Sequence, residues 1–67
     1  MRKTGNLGEN IRENRERIGY RQRELAALLN VSDTAVCKWE TGKAIPTTTN
    51  LINMARLFGV SLDALTQ

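Results

Sequence analysis

The chain has 67 residues, a formal charge of +3 and a hydrophobic share of 40%. That length holds one domain, and burial of only about 60% of the unfolded surface gives it a modest core. A single cysteine excludes an internal disulfide and a cysteine-rich zinc site, the absence of histidine removes the commonest metal ligand and general base, and no apolar run approaches the roughly 18 residues of a membrane span.

Residues 1–6 are polar, carry Arg2 and Lys3, and read as a flexible N-terminal arm; residues 7–67 form the domain. Met1-Arg2-Lys3-Thr4 is no signal-peptide start, so the expectation is a soluble cytoplasmic protein without metal or cofactor. Asn6 followed by Glu9 has the form of an N-cap with a glutamate three positions on, which starts a first helix near Leu7. Its inward positions are Leu7, Ile11, Arg15 and Ile18, and Gly19 ends it. Gly8 weakens this helix by roughly 1 kcal/mol relative to Ala unless it permits a close contact.

A second helix runs from Gln22 to Leu29 with Leu25, Ala26 and Leu29 inward, although Arg21 is a poor cap type. Asn30 takes a left-handed position, and Ser32 caps a third helix over Asp33–Thr41 that Gly42 terminates. Lys43 to Pro46 is a loop. Thr47 caps a fourth helix, Thr48 to Phe58, with Leu51, Ile52, Ala55 and Phe58 inward. Gly59 stops it, and Ser61 caps a short last helix carrying Leu62 and Leu65. The fold class is therefore all-α, a compact five-helix domain with no strand signal.

The third helix carries the functional signal. Val36, Trp39 and Glu40 share one face; Thr34, Cys37, Lys38 and Thr41 share the opposite one. The apolar face packs inward, so the small polar face looks out and has the size to enter a major groove. Lys38 can donate to guanine O6 or N7, Thr34 can bond or touch a thymine methyl, Asp33 can accept from cytosine N4, and Cys37 can lie against a thymine methyl. The bland alternative is an ordinary solvated helix surface.

Glu40 and Arg15 both point inward from apolar faces, so they are expected to pair and tie the first helix to the third; the alternative is that both reach solvent. Phosphate contacts are expected from the N terminus of the second helix with Gln22, flanked by Arg21 and Arg23, and from Thr41 and Lys43 on the other side. Arg17 and Arg56 read as solvated charges. Six of the ten basic residues lie between Arg2 and Arg21, which agrees with a polyanionic partner.

At these residues the chain resembles the phage-repressor and Cro-type helix-turn-helix family, the xenobiotic-response-element type. The resemblance covers residues 7–65 and rests on Ile11-Arg12-Glu13, Arg15, Gly19, Gln22-x-Glu24-Leu25-Ala26, Val31-Ser32, Val36-x-Lys38-Trp39-Glu40-x-Gly42-Lys43, Pro46, Leu51, Ala55 and Gly59-Val60-Ser61-Leu62-Asp63-x-Leu65. It implies sequence-specific binding of double-stranded DNA at a palindromic operator, usually by a two-fold homodimer. It places base reading on Asp33, Thr34, Cys37 and Lys38, phosphate contact on Gln22, Thr41 and Lys43, and a buried ion pair on Arg15 and Glu40. The chain departs from the pattern at Arg21, where Ser or Thr is usual. Asn14 replaces a frequent Leu, which thins the core, Asn30 the usual Gly, and Thr41 a frequent Asn.

The leading expectation is a transcriptional regulator, a repressor, with no small-molecule ligand and no membrane partner. The competing one is an antitoxin-like or protein-interaction module using apolar surface from Met54 and Leu57, which could equally be a dimer contact with Leu65 nearby. An enzyme is disfavoured, because Cys37 has no candidate base near it.

Overall fold

The computed structural model describes residues 6–67. Residues 1–5, most of the expected arm, lie outside the described residues. Asn6, the last residue of that arm, is the N-cap of α1 (Leu7–Ile18), its Oδ1 accepting from the Glu9 N–H at 3.0 Å. The other helices are α2 (Gln22–Leu29), α3 (Asp33–Glu40), α4 (Thr48–Phe58) and α5 (Leu62–Thr66). Ser32, Thr47 and Ser61 cap α3, α4 and α5 through side-chain oxygens, each satisfying one orphan N–H.

Each element is short, so packing rather than propensity stabilises it. The core is one cluster of Ile11, Leu25, Ala26, Leu29, Val36, Trp39, Met54, Ala55, Phe58 and Leu65. α1 crosses α3 so closely that a Cβ on buried Gly8 would lie 2.6 Å from Trp39 O and 2.7 Å from Glu40 O. That is the close contact for which a glycine in a first helical turn is needed.

Between α2 and α3 the chain turns at Asn30, with φ 59° and ψ 45°. Its N–H bonds Ala27 O at 3.2 Å, and the Val31 N–H bonds Ala26 O at 2.9 Å. These bonds close the end of α2 and bring Ser32 directly to the start of α3.

Several expectations need correction. α3 ends at Glu40, and Thr41 is its C-cap, because Gly42 at φ +79° turns the chain away. In α4 the inward stripe is Leu51, Met54, Ala55 and Phe58 at i, i+3, i+4 and i+7; Met54 is fully buried and Ile52, one position off the stripe, is exposed. The apolar surface expected from Met54 therefore does not exist, and Leu65 is likewise fully buried while Leu62 is exposed. Ile18 lies on the inward face of α1 but in its last turn, where it is 39% exposed.

Asn14 does not simply thin the core. Its Nδ2 donates to Asn10 O at 2.8 Å and its Oδ1 accepts from Arg17 Nη2 at 3.0 Å. Arg17, expected to be solvated, also donates from Nη2 to Phe58 O at 2.8 Å. Asn10 Nδ2 donates to Leu65 O at 2.9 Å and Gln67 O at 3.0 Å. A polar stripe on α1 thus satisfies carbonyls at the C-terminal ends of α4 and α5, groups that no helix can pair internally. Among the described residues no helix is long and apolar enough to cross a membrane.

Candidate nucleic-acid interface

α3 is anchored by the residues that face away from its polar side. Val36 is fully buried and Trp39 nearly so, while Asp33, Thr34, Cys37 and Lys38 are all exposed. Because α3 spans only Asp33–Glu40, these four residues occupy its first two turns and form its whole solvent face. Asp33 sits in the first turn, where the helix dipole favours a carboxylate.

The end of α3 is closed by its own backbone. The Gly42 N–H bonds Trp39 O at 3.2 Å, and the Lys43 N–H bonds Lys38 O at 2.8 Å. Lys43 is therefore folded back over the last turn and exposed there. Thr41 is also exposed, but its Oγ1 donates to Cys37 O at 2.9 Å. A hydroxyl has one hydrogen, so Thr41 must release Cys37 O before it can donate to a ligand.

At the start of α2, Arg21 makes no side-chain cap hydrogen bond, and its backbone N–H donates instead to Glu24 Oε1 at 2.7 Å. Arg21 and Arg23 are exposed and Gln22 is half-buried. With no side-chain acceptor at the cap, donors in the first turn remain for another partner.

Glu40 joins these parts. Its carboxylate receives Arg15 Nε at Oε2 (2.6 Å) and Arg15 Nη2 at Oε1 (3.0 Å), the two-pronged geometry that suits a guanidinium. The Glu40 side chain is 3% exposed and that of Arg15 10%. The hydrogen bonding that Arg15 donates to Glu40 raises its pKa above the already high ordinary value, against the opposing effect of burial. Gln22 Nε2 adds a third hydrogen bond to Glu40 Oε1 at 3.0 Å. This contact was not readable from the sequence, because Gln22 and Glu40 lie on different helices and neither periodicity points at the other. It places Gln22, at the start of α2, beside the end of α3, where Thr41 and Lys43 follow.

A helix-turn-helix family model matches residues 11–65. The chain belongs to this family, in its phage-repressor type. It is 34% identical over 59 residues to the HTH-type transcriptional regulator ImmR of Bacillus subtilis (strain 168), covering 88% of this chain and 46% of that protein. The c2 repressor of Salmonella phage P22, solved in complex with synthetic operator 9T, superposes with a TM-score of 0.85 at 31% identity, over 91% of this helix-turn-helix chain and 92% of the solved one. Hydroxypropylphosphonic acid epoxidase from S. wedmorenis also superposes, with a TM-score of 0.83 at 31% identity and 96% of this chain covered, but that match takes in 34% of the enzyme's chain. The chain spans about half or less of the length of the curated regulators ImmR, DicA and BcrR that it matches.

The surface expected to serve a protein partner changes identity. Met54 is withdrawn, and Leu28, 53% exposed, takes its place beside half-buried Leu57, with Asn53 and Arg56, around a cavity of about 300 Å³.

Proposed function

We propose that this chain is the DNA-binding domain of a transcriptional regulator, a repressor, that acts in the cytoplasm as a homodimer and inserts α3 into the major groove of a palindromic operator. The observation that carries the reading is the exposed face of Asp33, Thr34, Cys37 and Lys38 on a helix whose other side is locked by Val36 and Trp39. The likeness to an operator-bound repressor domain supports it. In this reading Lys38 donates to guanine, Asp33 accepts from cytosine, and Thr34 and Cys37 lie against bases as small groups. Arg21, Gln22, Arg23, Thr41 and Lys43 hold phosphates, with the first-turn N–H groups of α2 between them.

Selecting bound duplexes from a random DNA pool tests this directly. The expected product is a dyad with half-sites about one helical turn apart. If each protomer neutralises about four phosphates, log affinity against log salt should fall with a slope near −7 for the dimer. Failure to enrich any sequence, or a slope near zero, would overturn the reading. The selected site placed across a promoter should lower reporter output when the protein is expressed.

A further inference from the structure

Tyr20, Arg21 and Gln22 lead the chain into α2, and two of the three are fastened to the buried ion pair. Arg15 Nη1 donates to Tyr20 O at 2.9 Å. Glu40 Oε1 accepts from Gln22 Nε2 at 3.0 Å. The same two side chains hold one another through Nε–Oε2 and Nη2–Oε1. A buried ion pair must satisfy its remaining donors and acceptors with further hydrogen bonds. This one continues onto both sides of the start of α2.

The chemistry of Glu40 sets what Gln22 presents. A carboxylate only accepts, so it selects the NH2 end of the Gln22 amide, uses one N–H and leaves the second for a ligand. Arg15 neutralises Glu40, so the amide is held by a group that adds no net charge near an approaching anion. Donors at a helix N terminus bind an anion only within a narrow range of distance and angle. The phosphates and base edges of one DNA half-site are a rigid pattern. The start of α2 and the outer face of α3 must therefore stand in a set relation to be satisfied together.

We infer that Arg15 and Glu40 are positioning residues for the DNA-backbone contact, holding the start of α2 in place relative to α3 through Tyr20 O and Gln22 Nε2. The inference rests on the proposal that Gln22 and the first turn of α2 contact phosphate.

The test separates positioning from stability. Replacing a buried ion pair with apolar side chains of similar volume commonly preserves or raises stability. The double variant Arg15→Met/Glu40→Leu should therefore melt near the unmodified chain while losing both tethers. On the duplex selected by the unmodified chain, its affinity should fall about tenfold or more, the effect of losing a hydrogen bond to a charged group. Gln22→Ala should weaken binding in the unmodified chain yet cause little further loss in the double variant. If the apolar pair does not fold, Glu40→Asp, which keeps the charge and shortens the reach, takes its place in the same cycle. Full affinity in the chosen variant, or losses that add independently with Gln22→Ala, would overturn the inference and leave the DNA reading intact. If the unmodified chain binds no duplex, the DNA reading fails and this inference falls with it.

Discussion

The Glu40 carboxylate accepts hydrogen bonds from Arg15 Nε, Arg15 Nη2 and Gln22 Nε2 inside a pocket that leaves its side chain 3% exposed. Glu40→Gln removes the charge but leaves Arg15 buried, and losing one partner of such a pair costs about 3–5 kcal/mol. For a domain of this size that lowers the melting temperature by about 12 °C or more. A thermal melt followed by circular dichroism checks it, and an unchanged midpoint would show that the pair is energetically idle. The raised pKa of Arg15 also has a sign. A cation stabilised by folding contributes fully below its unfolded pKa and loses that contribution only as pH rises through the folded one. Both values lie at the alkaline extreme, so Arg15 should add no pH dependence to stability across the neutral range. Arg21 shows the opposite balance. It leaves α2 without a side-chain cap but puts a cation beside the first turn. Arg21→Ser should stabilise the domain by about 1 kcal/mol through capping while weakening DNA binding, so melt and affinity should move in opposite directions. If both rise, the charge has no role in binding.

At the scale of the helices, what the sequence made legible depended on whether the deciding contact was local. Caps are local: Asn6, Ser32, Thr47 and Ser61 each bond within three residues, and the helix starts follow from them. The start of α2 at Gln22 also follows, even though Arg21 supplies no cap. Periodicity gave the stripes but not their centres: Ile52 and Met54 are both apolar, and only the packing of α4 on its neighbours buries Met54. The pairing of Arg15 with Glu40 could be anticipated because two charges on apolar faces require partners. Gln22, Asn10 and Arg17 gave no such warning, since polar side chains on outer faces carry no obligation to meet another helix. Gly8 is intermediate. Its small size signalled a close approach, but only the structure shows that Trp39 O and Glu40 O are what it meets. Backbone carbonyls cannot rotate aside, so Gly8→Ala must push α1 from α3. The gain in helix propensity of roughly 1 kcal/mol should be outweighed by an overpacking penalty of about 1–3 kcal/mol. Denaturant unfolding should show a net loss of stability; a net gain would mean that the α1–α3 contact relaxes freely.

Over the whole molecule, the proposed function divides reading DNA from holding it between two lysines close in the chain. Lys38 stands on the outer face of α3, and Lys43 is folded back onto the same turn by its N–H bond to Lys38 O at 2.8 Å. Both are exposed and both carry one charge. Net charge therefore does not distinguish them; in the proposed function their position relative to the groove does. A base contact is made with one sequence and lost with others, so Lys38→Ala should cost about 1–3 kcal/mol on the selected duplex and relax preference at one position per half-site. A phosphate contact is the same on every sequence. Lys43→Ala should weaken selected and scrambled duplexes alike and reduce the magnitude of the salt slope by about 1 for each protomer bound. Affinities for both duplexes over a series of salt concentrations give the two signatures in one experiment. If the variants lose affinity in the same proportion on both duplexes, α3 does not read bases through Lys38. The outer face of the helix would then serve only to bring positive charge to the DNA.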